Sequence, residues 1–131
     1  MTEKARLGWV IVYVPDVLAA IEFYEKTFGL ERAFVGEDAG FGELDTGQTK
    51  LAFAEETGVE SNFEFGFRRP GEQPFNIEVA LVFDDPEAAF ARALENGASS
   101  IAEPKTKPWG QVVAYVRDPF GTLLEIASPT G

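Results

Sequence analysis

Glu125 interrupts an apolar run, standing between Leu124 and Ile126 in a stretch that reads as a strand. Charges are rarely buried without a partner, so this carboxylate either faces a functional surface or is paired with an arginine or a water. Glu78 has a related setting. In Phe75-Asn76-Ile77-Glu78-Val79 the apolar Ile77 and Val79 share one face, and Glu78 shares the other with Asn76 and Ala80. That pattern fits a solvated face as well as a functional one. Two carboxylates held close would raise the pKa of one of them and share a proton. Such a pair suits general acid/base work, for example proton abstraction next to a carbonyl. The aromatic residues suggest binding. Trp109 stands between Pro108 and Gly110, and a loop tryptophan is seldom required by a core. Trp9 reads either as a core residue of a half-buried strand or as a ligand contact. Phe63, Phe65 and Phe67 alternate strictly, as an extended segment with one apolar face would, serving as a packing surface or as a ligand wall. Aromatic faces stack on planar groups and attract cations.

These residues are carried by a chain that repeats itself. Val10-Ile11-Val12-Tyr13-Val14-Pro15-Asp16-Val17-Leu18-Ala19-Ala20-Ile21 is a strand, a turn and a helix start, and Val79-Ala80-Leu81-Val82-Phe83-Asp84-Asp85-Pro86-Glu87-Ala88-Ala89-Phe90 has the same grammar. Asp16 maps onto Asp85, Ala19-Ala20 onto Ala88-Ala89 and Val14 onto Phe83, all at one offset. The period is longer than the roughly 20–50 residues of a solenoid repeat, so the chain reads as one duplicated fold. In the first half the pattern predicts a strand over 7–14, a helix over 17–28 capped by Asp16 and closed by Gly29, and strands near 31–35, 40–45 and 50–54. In the second half it predicts a strand over 76–83, a helix beginning at Pro86 behind the cap Asp85 and ending at Asn96-Gly97, and strands near 100–103, 111–117 and 122–127. Each half is then β-α-β-β-β, module 1 over 7–54 and module 2 over 75–128, within a single domain spanning residues 1–131. Residues 55–74 link the modules, and 105–110 form a second irregular stretch.

Composition narrows the function classes. With 22 acidic and 11 basic residues the net charge is −11. That argues against nucleic acid, whose phosphates need a basic patch, and against anionic membrane surfaces. It suits a cationic ligand, though it also serves solubility. The chain has no cysteine, which removes disulfides and thiol chemistry. No apolar run approaches the roughly 20 residues of a membrane span, and the N-terminus carries no signal-peptide pattern. A cytoplasmic, bacterial protein is expected.

Val14-Pro15-Asp16, Phe23-Tyr24 and Phe28-Gly29-Leu30 in the first half resemble the glyoxalase / bleomycin-resistance / extradiol dioxygenase (vicinal oxygen chelate) superfamily. So do Asp118-Pro119-Phe120-Gly121 running into Leu124-Glu125-Ile126, and Trp109-Gly110 ahead of Tyr115-Val116-Arg117-Asp118. The resemblance covers essentially the whole chain. It implies an α+β fold of two β-α-β-β-β modules whose mixed sheets form a cleft. It also implies four metal-ligand positions, in the first and last strand of each module: Trp9, Ala52, Glu78 and Glu125.

The chain has no histidine. Nickel, zinc and iron favour nitrogen donors, an indole nitrogen is a donor only, and alanine has no ligand atom, so Glu78 and Glu125 alone remain. Two carboxylates leave room only for a loosely held magnesium or calcium with water filling the sphere; no metal and no cofactor are therefore expected, and an iron dioxygenase, which needs a 2-His-1-carboxylate face, is expected least of all. The metal-free branch of the superfamily, the bleomycin-resistance proteins, is acidic and dimeric with aromatic-lined clefts. By that resemblance the chain binds an antibiotic-like or planar cationic small molecule, with Trp9, Phe63, Phe65, Trp109 and Tyr115 as ligand contacts, and acts as a homodimer. The alternative is a metal-free or weakly metal-dependent isomerase- or lyase-type enzyme with Glu78 and Glu125 as its catalytic groups. A third possibility is a structural role with a cavity filled by its own side chains.

Overall fold

The computed structural model describes residues 2–59 and 66–130. The chain divides into two compact units, Met1–Phe67 and Arg68–Gly131. The first contains β1 (Trp9–Val14), α1 (Val17–Phe28), β2 (Glu31–Val35), β3 (Phe41–Asp45), β4 (Lys50–Glu55) and the short α2 (Glu56–Val59). The second contains β5 (Glu78–Val82), α3 (Pro86–Glu95), β6 (Ser99–Thr106), β7 (Val112–Arg117) and β8 (Leu123–Ala127). Each unit is a four-stranded mixed sheet with one main helix, in the orders β1-β4-β3-β2 and β5-β8-β7-β6. In both, the outer pair is parallel (β1 with β4, β5 with β8) and the other pairings are antiparallel. The fold is the α+β duplication expected from the repeat.

The helices form where their caps allow. The Asp16 carboxylate accepts from the Ala19 amide at 3.1 Å, and Asp85 accepts from Ala88 at 3.1 Å. Each satisfies one amide that the first helical turn leaves without a partner. Gly29, at φ 71°, provides the left-handed residue that closes α1, its amide donating to the Glu25 carbonyl at 3.0 Å. The buried stripe of α1 (Val17, Ala20, Ile21, Tyr24 and Phe28) lies against one face of the first sheet, where Leu44, Leu51 and Phe53 are also buried. Tyr24 packs on Phe53 with ring centroids 5.2 Å apart. A Cβ added to Gly42 would come within 3.1 Å of Val17 and 3.2 Å of Ile21. The even-numbered residues of β3 therefore face the helix, and Phe41, Glu43 and Asp45 face away from it. In the second unit α3 buries Ala89, Phe90 and Ala93, and Leu124, Ile126, Ala114 and Val116 are buried in the sheet.

Three boundaries differ from expectation. β6 continues through Pro104 to Thr106. It is an edge strand with register shifts between Ala102 and Lys105, and an edge position tolerates a residue that cannot donate to the ladder. The irregular stretch before β7 is correspondingly shorter. Glu56–Val59 forms a helical turn at the start of the segment read as a linker; with a glycine in four residues it has no periodicity to recognise. The opening strands of both halves are shorter than their apolar patterns, starting at Trp9 and Glu78. Phe63 and Phe65 lie outside the described residues.

Candidate functional site

In the second unit the sheet brings together three of the expected residues. Tyr115 on β7 is directly opposite Glu125 on β8, and Ala80 on β5 is opposite Glu125 on the other side. Glu78 lies two residues before Ala80 and so points to the same side of β5. The Tyr115 hydroxyl donates to Glu125 Oε1 at 2.9 Å. The Glu78 carboxyl is held above the ordinary range, first by partial loss of solvent and second by the negative charge of Glu125. The phenol of Tyr115 is pushed up to about 12, chiefly because it donates to Glu125, with desolvation and the charges of Glu125 and Glu78 adding to the effect. Removing a proton from a phenol that already faces two carboxylates would put a third negative charge beside them.

Among the described residues, neither Glu78 nor Glu125 forms an ion pair with a basic side chain; Arg32 pairs with Glu25 and Lys50 with Asp45. Arg117, two positions along β7 from Tyr115, is committed elsewhere. Its guanidinium donates to the carbonyls of Gly71 at 2.8 Å, Glu72 at 3.0 Å and Gly121 at 3.1 Å.

Trp109 is in the same unit but is not tied to this trio. It lies in the turn between β6 and β7, is 65% exposed, and donates through Nε1 to Gln111 Oε1 at 2.9 Å. Gln111 in turn donates to the Ser128 carbonyl at 2.8 Å. The indole is therefore held open to solvent by a fixed side-chain relay.

The first unit has its own version of the trio. Ile11 on β1, Ala52 on β4 and Glu43 on β3 form one row across three strands. Comparing registers, Trp9 takes the place of Glu78 (each opens the first strand of its unit), Ala52 takes the place of Glu125, and Glu43 that of Tyr115. Trp9 is 54% exposed, and its Nε1 donates to Glu43 Oε2. It is not a core tryptophan. Glu43 was not singled out from the sequence: in Phe41-Gly42-Glu43-Leu44-Asp45 it looks like any outward charge of a half-buried strand, and its partner is 34 positions away. On the same side of β1, Tyr13 meets Phe67 edge-on with centroids 4.9 Å apart.

These contents test the fit of a metal. Two of the four ligand positions that the family resemblance implies carry Trp9 and Ala52, which offer no lone pair to a cation. Glu78 and Glu125 remain, and among the described residues no group of three or more His, Cys, Asp or Glu is placed to hold a metal ion. The donor set does not fit a tightly held nickel, zinc or iron.

Comparison with known proteins defines the class. The profile of the Glyoxalase/Bleomycin resistance protein/Dioxygenase superfamily matches residues 6–126, and the chain belongs to that superfamily. It is similar to the uncharacterized protein YraH of Bacillus subtilis (strain 168), with 27% identity over 123 residues, 92% of this chain and 96% of that one. Among solved structures it is similar in fold to a glyoxalase-related enzyme from Fulvimarina pelagi, with a TM-score of 0.80 and 18% identity over 95% of this chain and 88% of the other. It is also similar to a family enzyme from Burkholderia phytofirmans PsJN, with a TM-score of 0.76 and 22% identity over 95% and 98% of the two chains.

Proposed function

We propose that this chain binds a planar, cationic small molecule without a metal, using Glu78 and Glu125 for charge and Trp9, Trp109, Tyr115 and the Phe63/Phe65 segment as aromatic contacts. The observation that carries the reading is the placement of Glu78 and Glu125 on one side of the paired strands β5 and β8, where neither forms an ion pair with a basic side chain among the described residues; lost solvent first, and the charge of Glu125 second, hold the Glu78 carboxyl above its ordinary range. A cation brought by a ligand would relieve that repulsion, and the Tyr115 hydrogen bond keeps Glu125 oriented to receive it. The exposed indoles of Trp9 and Trp109 supply flat faces for stacking and cation–π contact. A bacterial, cytoplasmic homodimer is the setting, in keeping with the bacterial sources of its relatives.

The test is calorimetry on chelator-treated protein, with zinc and nickel in one set of titrations and metal-free bleomycin, a large cationic antibiotic, in a separate one. Heat from bleomycin and none from the metals is expected. Glu78→Gln and Glu125→Gln should each weaken that binding about tenfold, equivalent to about 1.4 kcal/mol. Micromolar metal binding with no heat from bleomycin would sink the proposal.

One observation favours a second reading. Glu78, whose carboxyl is held above its ordinary range by lost solvent and by the nearby Glu125, is a candidate acid/base group, suited to moving a proton next to a carbonyl in an isomerase- or lyase-type reaction. Deuterium exchange at the α-carbon of simple ketoacids, present in the wild type and lost in Glu78→Gln, would support it. No exchange above buffer would exclude that class of reaction.

A further inference from the structure

The path from Trp9 to Glu43 crosses a strand. Trp9 is on β1 and Glu43 on β3, and β4 lies between them in the sheet. The indole reaches Glu43 only by lying across β4. At the crossing point β4 presents Ala52, which is 0% exposed even though it shares the side of the sheet turned away from α1. A larger residue there would lift the ring off the sheet. Lys50, on the same side of β4 as Ala52, is paired with Asp45 at 3.2 Å, so its charge is committed there.

We propose that Glu43 is a positioning residue: it takes up the Trp9 N–H and pins the indole over Ala52, so that the first unit offers a ring face rather than a hydrogen-bond donor to its ligand. This rests on the planar-cation reading above and deepens it. With the N–H occupied, a ligand gains nothing by presenting an acceptor to Trp9. A flat cation gains twice, from the π face and from the carboxylate at its edge. The two units thereby use equivalent sheet positions in different ways. The second presents Glu78 and the Tyr115–Glu125 pair, and the first presents an immobilised aromatic surface whose polar edge is already satisfied.

The experiment uses the full chain with Trp109→Phe, so that Trp9 is the sole indole, and compares Glu43→Gln with Glu43→Ala. The two variants have the same charge, and only the first retains an acceptor. The first readout is the Trp9 indole N–H resonance and its exchange with solvent. The expected result is a protected proton in the parent and in Glu43→Gln, and a fast-exchanging one at the position of a free indole in Glu43→Ala. The second is static quenching of Trp9 fluorescence by N-methylnicotinamide, a flat cation. Its constant should be about threefold larger in Glu43→Gln than in Glu43→Ala, the factor an exposed cation–π contact is worth. Equal exchange rates in parent and Glu43→Ala, or equal quenching in the two variants, would overturn the proposal. Glu43→Val serves as a second acceptor-free variant should Glu43→Ala not fold. A silent bleomycin calorimetry alongside the expected indole results would sink the ligand reading and leave the role of Glu43 standing.

Discussion

The hydroxyl of Tyr115 and the carboxylate of Glu125 meet at 2.9 Å across the β7–β8 pair, in direct register. The contact holds the phenol pKa at about 12, above the usual value of about 10. A folded-state pKa above the unfolded one means that the protonated phenol favours folding. The contribution is complete below about pH 10 and is lost as pH rises through about 12. Alkaline titration followed by phenolate absorbance should show one high transition that is absent in Tyr115→Phe. In Glu125→Gln that transition should move back toward 10. Tyr115→Phe should cost about 1 kcal/mol at pH 7, the net worth of one hydrogen bond. An unmoved transition in Glu125→Gln would mean that the pair is not formed in solution.

Glu78 obeys the same linkage at lower pH. Its pKa is raised by lost solvent and by Glu125, so its ionised form opposes folding. Stability falls as pH rises from the unfolded-state value through the folded-state one. Glu78→Gln should therefore melt slightly higher than wild type at pH 7. The gain should stay below about 0.5 kcal/mol, as is usual for an exposed position. It should vanish at acid pH, where the wild-type carboxyl is protonated in both states. A lower melting temperature for Glu78→Gln at pH 7 would contradict the assignment.

The repeat was legible because each copy carries its own punctuation. Asp16 and Asp85 cap, Pro15 and Pro86 bracket the same turn, and both helices follow with an apolar stripe. Glu125 was legible for the related reason that a charge between Leu124 and Ile126 breaks the pattern of a buried strand. What stayed hidden depends on pairing. Glu43 obeys the alternation of its own strand, and only the register of β3, β4 and β1 brings it under Trp9. The fate of Arg117 is similar. Nothing local indicates that its guanidinium is spent on the carbonyls of Gly71, Glu72 and Gly121, yet that commitment keeps it from pairing with Glu78 and Glu125, neither of which forms an ion pair among the described residues. The extension of β6 past Pro104 was concealed because the sequence does not say which strands are edges.

The donor set makes a prediction about metals. Zinc at about 1 mM acting on a folded-state site with a Kd of about 1 μM would stabilise the protein by about 4 kcal/mol, a shift of many degrees in melting temperature. With Trp9 and Ala52 at two of the four positions, neither chelator nor zinc, nickel or manganese should move the melting temperature by more than about 1 °C, corresponding to a few tenths of a kcal/mol. A larger rise with any of these ions would show that Glu78 and Glu125 recruit further ligands, and would return metal chemistry to the leading position.

Gly121 and Gly110 separate backbone strain from steric conflict. Both have positive φ, 100° and 95°, where a side chain is disfavoured. Gly110 has nothing within 4 Å of the place a Cβ would occupy. At Gly121 that Cβ would sit 2.6 Å from Pro70 Cβ and 3.0 Å from the Arg117 guanidinium, which itself donates to the Gly121 carbonyl. Gly110→Ala should therefore cost about 1 kcal/mol, the strain alone. Gly121→Ala should cost about 3 kcal/mol or more, because the alanine displaces Pro70 and disturbs the carbonyls that hold Arg117. Denaturant melts of the two variants measure the difference directly, and equal losses would mean that the 70–72 segment does not pack on the Asp118–Gly121 turn. If it does, an Arg117 released in Gly121→Ala is free to turn toward Glu125, and binding of a cationic probe should weaken in Gly121→Ala while remaining unchanged in Gly110→Ala.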